Sequence, residues 1–386
     1  MPSILFFLMA KIGLIDNDMI TRKTHNFPNL AIMKLSAWHK KQGDDVRLIS
    51  FDMINPMNMF TEYFDTVYIS KVFSDTQTPD FIDSLSFIKK GGSGFFYDLV
   101  EKLPYEIEHI KPDYEIYNKT GEYYKNFSIG FITRGCIRQC SFCINRNYKK
   151  VEFASNPIEF IDEKRPFIML LDDNITAYKD FEGVFNELNA IGKPFVFKQG
   201  MDFRLLNEKK MQILWNSNYY STSKKTGKQD KGGRVFHFAF DNIEDSELIE
   251  KRLRQYFFSK PYAFVIMFYV LTGFDRKVIY DNAFFEKDFE DILKRIALLF
   301  KYNAQPYIMI HEDVKLSPYK DRIYELRNIF NNIMNYAQGT KYALDRFGKK
   351  ELKKLIEEKY PWFLNVKYET RLYKNIPESE RSLYWA

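Results

Sequence analysis

From Phe127 onward the chain alternates a short apolar run with an amphipathic stretch, and it does so six times. The expected strands are Phe127–Thr133, Pro166–Leu171, Pro194–Lys198, Arg234–Phe240, Ala263–Leu271 and Pro306–Ile310. Helical periodicity separates them, most clearly over Lys179–Ile191, Ile243–Phe258 and Phe284–Phe300, and Ser317 to about Met334 supplies the last helix. Strand–helix repetition demands a parallel sheet covered by helices. Six such units predict a partial (β/α)6 barrel of TIM type rather than the full eightfold one.

The first third predicts a second α/β layer. Ser3–Leu8 is read as a strand, Asn29–Gln42 as an amphipathic helix ended by Gly43, and Val46–Ile49 and Thr66–Ile69 as short strands. Phe87–Ile88 then leads into the turn Gly91-Gly92-Ser93-Gly94. This order predicts a Rossmann-like open sheet over residues 1–102. Pro104, Pro112 and Gly121 mark residues 103–125 as a linker, which leaves 126–336 for the barrel and 337–386 for a charged, aromatic C-terminal extension.

The 57 basic and 51 acidic residues nearly cancel to +6, which permits an anionic partner without pointing to one. The densest basic stretch is the expected surface loop Tyr219–Arg234, with Lys224, Lys225, Lys228, Lys231 and Arg234. Such a run is ordinarily a solvated face; nucleic acid is its sharper alternative, recognisable by steep salt dependence. Lys11 ends the apolar run Ile4–Met9 too early for a signal-peptide core or a membrane span, so a cytoplasmic protein with no membrane contact is expected.

All three cysteines fall within eight positions, as Gly135-Cys136-Ile137-Arg138-Gln139-Cys140-Ser141-Phe142-Cys143. An odd, clustered set is a poor disulfide framework and suits a reducing compartment. The spacing C-x3-C-x2-C lets three thiolates cap three irons of a cubane, with one iron left open. A closed zinc site needs a fourth ligand, yet there is no fourth cysteine and the nearest following histidine is His237.

Polar residues gather at the expected C-terminal ends of the strands, where barrels place their working groups. They are Asp172-Asp173-Asn174, Gln199-Gly200-Met201-Asp202-Phe203-Arg204, Asp241-Asn242, Thr272-Gly273-Phe274-Asp275 and His311-Glu312-Asp313. Asp173, Asn174 and Asn242 suit helix capping as well as function. Arg204 can grip a carboxylate in two places or pair with Asp202 or Asp172. A single histidine, His311, is weak evidence for acid–base chemistry.

With the cysteine motif behind the first barrel strand, the region from Phe127 to Ser317 resembles the radical S-adenosylmethionine (SAM) superfamily. The resemblance implies a [4Fe-4S] cluster on Cys136, Cys140 and Cys143 whose open iron binds the amino and carboxylate groups of SAM. An electron from a reductant such as flavodoxin or ferredoxin then cleaves SAM to methionine and a 5′-deoxyadenosyl radical, which abstracts hydrogen from an unidentified substrate. It also implies SAM or substrate contacts for Asp172, Asp173, Gln199, Asp202, Arg204 and Asp241, and adenine contacts for Thr272, Gly273 and the backbone beside Phe142.

The N-terminal part resembles the cobalamin-binding-like domains of several branches of that superfamily. It lacks the D-x-H-x-x-G motif, and neither His25 nor His39 stands in that context, so cobalamin is not expected. It also lacks cysteine, which argues against the second cluster of methylthiotransferases. A cobalamin-dependent radical SAM methyltransferase is the alternative enzyme. A non-catalytic iron–sulfur or nucleic-acid-binding module is the alternative of another class, and the polar residues at successive strand ends argue against it.

Overall fold

The computed structural model describes residues 9–97, 102–118, 122–146, 148–219, 235–259, 265–274, 280–332 and 339–367. They fall into two compact α/β units. The first holds the residues up to Ile132 and Ala154–Met169; the second holds Thr133–Phe153 and the chain from Leu170 to the C-terminus, apart from a few loop residues outside those described.

In the first unit β1 (Lys11–Asp16) leads through α1 (Asn17–Thr21) to α2 (Leu30–Gln42), then to β2 (Asp45–Leu48), β3 (Thr66–Ser70) and β4 (Ile88–Gly91). The strands form one parallel sheet in the order β2-β1-β3-β4. The Asn29 side chain caps α2 by accepting from the N–H groups of Ala31 and Ile32, and Gly43 ends it in the left-handed region. Ile15, Ile49, Phe64, Val67 and Ile69 form the core of this unit.

One sequence expectation falls on residues outside those described, and another changes. The run Ser3–Leu8 lies outside the described residues, and the strand that enters the sheet as β1 is Lys11–Asp16, whose apolar alternation Lys11, Gly13 and Asp16 obscure. The stretch read as a linker carries α3 (Tyr105–Glu108) and α4 (Glu122–Lys125), and its first part packs on α2. Lys34 pairs with Glu108 at 3.0 Å, Ser36 donates to Asp113 at 2.6 Å, and the Tyr117 hydroxyl donates to Asp16 at 2.7 Å. Pro104 starts α3 rather than freeing the chain. β5 (Phe127–Gly130) follows.

The second unit opens with β6 (Thr133–Arg134) and β7 (Glu152–Phe153), an antiparallel pair that closes the loop carrying the cysteines. The chain continues through β8 (Phe167–Leu170), which belongs to the first unit up to Met169, and then through α5 (Phe181–Ile191), β9 (Phe195–Phe197), α6 (Glu208–Asn216), β10 (Val235–Ala239), α7 (Ser246–Ser259), β11 (Val265–Thr272), α8 (Asn282–Lys301), β12 (Gln305–Ile310) and α9 (Lys320–Phe330). Each of the six strands expected from the sequence is thus present, as β5, β8, β9, β10, β11 and β12. β10, β11 and β12 form a parallel sheet in that order, and Met201 extends its edge by bonding to His237 and Ala239 beside β10.

Phe236, Phe238, Ile266, Phe268, Val270 and Ile308 seal one face of that sheet. The C-terminal extension is part of the core. α10 (Gly339–Phe347) and α11 (Lys350–Lys359) bring Ala343, Leu344, Leu352 and Ile356 against Phe289, Ile292 and Ile296 of α8 and Leu326 and Phe330 of α9. No helix among the described residues is long and apolar enough to cross a membrane. Of the basic loop only Tyr219 is described, buried against Phe197 and Phe236; the rest of Tyr219–Arg234 lies outside the described residues.

Candidate functional site

The cysteine loop leaves β6 at Gly135, whose φ of +100° suits glycine, and a Cβ there would meet the Lys150 carbonyl oxygen at 2.4 Å. Gln139 also adopts a positive φ, +49°, between the first two cysteines. None of the three cysteines is in a disulfide, and each is half-buried. Backbone N–H groups point at two sulfurs: Arg138 donates to Cys136 Sγ and Asn145 to Cys143 Sγ, both at 3.4 Å. The Asn174 side-chain amide adds a third donor, to Cys136 Sγ at 3.3 Å. Burial pushes the Cys143 thiol up, the Asn145 N–H opposes that, and the neighbouring Cys140 and Cys136 add to the rise.

The acidic residues at the end of β8 hold the ends of this loop. Asp172, 2% exposed, accepts from the N–H and hydroxyl of Thr133 at 2.5 and 2.7 Å. Asp173 accepts from the Gly135 N–H at 2.7 Å and the Asn145 side chain at 2.6 Å, while burial raises its carboxyl above the usual range. Asn174 makes no cap for the turn that follows it; its amide serves Cys136 instead. Asn242, by contrast, is a cap, accepting from the Glu244 N–H at 3.1 Å.

After β9, Asp202 lies between two guanidinium groups. Its carboxylate accepts from Arg138 Nε at 2.5 Å and from Arg204 Nε at 2.7 Å, and Arg204 also pairs with Asp245. Arg204 is therefore engaged by two carboxylates, which is the ion-pair option the sequence left open. Gln199 is exposed beside this turn.

Asp241, at the end of β10, has its pKa pushed up to about 6 by burial, against the pull of Arg295. Arg295 of α8 is buried and donates through Nη1 to the carbonyls of Phe240, Asp241 and Leu271, tying the ends of β10 and β11 to the helix. The Thr272 hydroxyl and the Gly273 N–H both donate to Asp288 of α8, at 2.7 and 3.0 Å. Gly273 has φ +81°, and a Cβ there would meet Val314 Cγ2 at 2.0 Å, so its packing against Val314 already requires glycine. The ring of Phe142 meets Phe274 edge-on at 5.4 Å, and Phe274 meets His311 at 5.1 Å. His311 caps the next turn by accepting from the Asp313 N–H at 3.3 Å.

Sequence reasoning missed Arg138, Asn145, Asp288 and Arg295. Only the position of the first two inside or beside the cysteine motif could have signalled them.

Among the described residues no three His, Cys, Asp or Glu side chains are gathered to hold a single metal ion. A cubane makes a different demand, since each thiolate takes its own iron. The donor set fits that demand: three thiols on one loop, N–H donors already aimed at two sulfurs, and the Ser141 hydroxyl buried between two of the cysteines in sequence without a hydrogen-bond partner among the described residues. No protein-family model, curated protein or solved structure matches the chain.

Proposed function

We propose that this protein is a radical SAM enzyme whose single [4Fe-4S] cluster is held by Cys136, Cys140 and Cys143, on a partial (β/α)6 barrel that follows a cobalamin-binding-like N-terminal unit in the sequence. The supporting observation is the convergence of N–H donors on the sulfurs of a C-x3-C-x2-C loop. Hydrogen bonds to ligating sulfurs stabilise the charge that a reduced cluster carries. When bound, the cluster supplies an electron from a flavodoxin- or ferredoxin-type reductant to SAM, yielding the radical that abstracts hydrogen from a substrate still to be identified.

In this reading the chain's own residues divide the labour. Asp172, Asp173 and Asp202 hold the cysteine loop through its backbone and through Arg138, so the thiols are presented at fixed positions. Gln199 and the backbone beside Phe142 are assigned to SAM. Arg295 and Asp288 keep the β10 and β11 ends in place.

Anaerobic reconstitution tests the reading. The wild-type chain should take up about four irons and four sulfides. Cys136→Ala, Cys140→Ala and Cys143→Ala should each lose most of them while keeping the wild-type circular dichroism. Zinc uptake in place of iron, or iron retained in all three variants, contradicts it.

A further inference from the structure

Cys136 is held differently from a thiol that merely lies on a loop. The Asn174 Nδ2 amide donates to Cys136 Sγ at 3.3 Å, and Asn174 Oδ1 in turn accepts from the Thr176 hydroxyl at 2.7 Å. The Asp202 N–H donates to the Thr176 oxygen at 3.1 Å, and the Asp202 carboxylate accepts from Arg138 Nε at 2.5 Å. The Arg138 N–H then returns to Cys136 Sγ at 3.4 Å. These five residues close a ring of hydrogen bonds through one sulfur. Asn174, Thr176 and Asp202 are 4%, 0% and 3% exposed, so three of the five are shut off from water that could compete for the donors.

Each member of the ring fixes the next. The Thr176 hydroxyl accepts from the Asp202 N–H and gives its one proton to Asn174 Oδ1. That fixes Asn174 Oδ1 toward Thr176 and leaves the Nδ2 side facing sulfur. The Arg138–Asp202 pair anchors the other donor. Two N–H groups from different chain segments therefore converge on Cys136 and cannot both turn away without breaking buried bonds.

We propose that Asn174 is a positioning residue for Cys136, with Thr176 setting the orientation of its amide, and that this ring tunes Cys136 as a cluster ligand. The proposal rests on the radical SAM reading for its consequence but not for its geometry. Donors to a ligating sulfur favour the reduced, more negative cluster and so raise its reduction potential. Removing one should make the potential more negative without removing a ligand.

The experiment compares wild type, Asn174→Ala, Thr176→Val and Thr176→Ser after anaerobic reconstitution, reading iron per chain and the midpoint potential from a dithionite titration followed by EPR. The expected result is wild-type iron in all four, a more negative potential in Asn174→Ala, a smaller shift of the same sign in Thr176→Val, and none in Thr176→Ser. Full iron with a wild-type potential in Asn174→Ala overturns the proposal; so does a Thr176→Ser shift equal to that of Thr176→Val. The metal-free protein separates this from failure of the cluster reading. There, the Asn174 side-chain amide should exchange its Nδ2 proton slowly in 1H–15N spectra and change its shift on Cys136→Ala. An amide insensitive to that substitution overturns the ring whether or not iron binds.

Discussion

Asp202→Asn probes the joint between the cysteine loop and the turn after β9. Asp202 is 3% exposed and accepts from Arg138 Nε and Arg204 Nε on separate oxygens. Asparagine keeps the shape and one acceptor, so it can still take the Arg204 bond. Its NH2 group would then face the Arg138 Nε–H, donor against donor. A hydrogen bond to a charged group contributes about 1.5–3 kcal/mol, and the buried side of this pair belongs to the upper part of that range. The Arg138 side chain is 32% exposed and can turn to water, which recovers up to about 1 kcal/mol. Arg204 retains Asp245. The expected loss is about 2 kcal/mol. Urea unfolding of wild type, Asp202→Asn, Arg138→Gln and the double variant measures it. Arg138→Gln alone should lose no more than about 1 kcal/mol, and the double variant should lose less than the two singles together. A change below about 0.5 kcal/mol in Asp202→Asn, or strict additivity, would refute the reasoning.

Gly273→Ala should lose about 2–4 kcal/mol, combining left-handed backbone strain with the Val314 overlap. Thermal unfolding of Gly273→Ala, Val314→Ala and the pair checks this: the double variant should lose less than the sum, and a neutral Gly273→Ala contradicts it. Asp241 supplies a pH test. Its folded pKa of about 6 lies above the ordinary carboxyl value of 3.8, so its contribution is full below about pH 4 and is lost as pH rises through about 6. Burial raises this pKa, Arg295 and Arg204 attract the carboxylate, and Asp245 repels it. Asp241→Asn does not titrate, and its stability relative to wild type should improve by about 3 kcal/mol between pH 4 and pH 7. A difference that stays flat with pH argues against the buried carboxyl.

How much of this the sequence makes legible depends on how local the signal is. α2 is readable because its start and stop signals sit beside it, at Asn29 and Gly43. β1 is not, because Lys11, Gly13 and Asp16 interrupt its apolar run although Ile12, Leu14 and Ile15 are buried. The cysteine loop is readable from spacing alone. The use of Asp172, Asp173 and Asp202 is not, since spacing places a carboxylate at a strand end without saying which N–H it turns toward. Arg295 and Asp288 look like the polar side of an amphipathic helix, and only the folded chain shows Arg295 buried under three carbonyls. The demand for glycine at 273 comes from Val314, far along the chain.

The central claim is that this loop carries a cluster that cleaves SAM, and the direct measurement is 5′-deoxyadenosine formed by the reconstituted protein with dithionite and SAM under anaerobic conditions. The account predicts 5′-deoxyadenosine and methionine in equal amounts from wild type, and neither from Cys136→Ala, Cys140→Ala or Cys143→Ala. A fully iron-loaded wild-type protein that leaves SAM intact would contradict it.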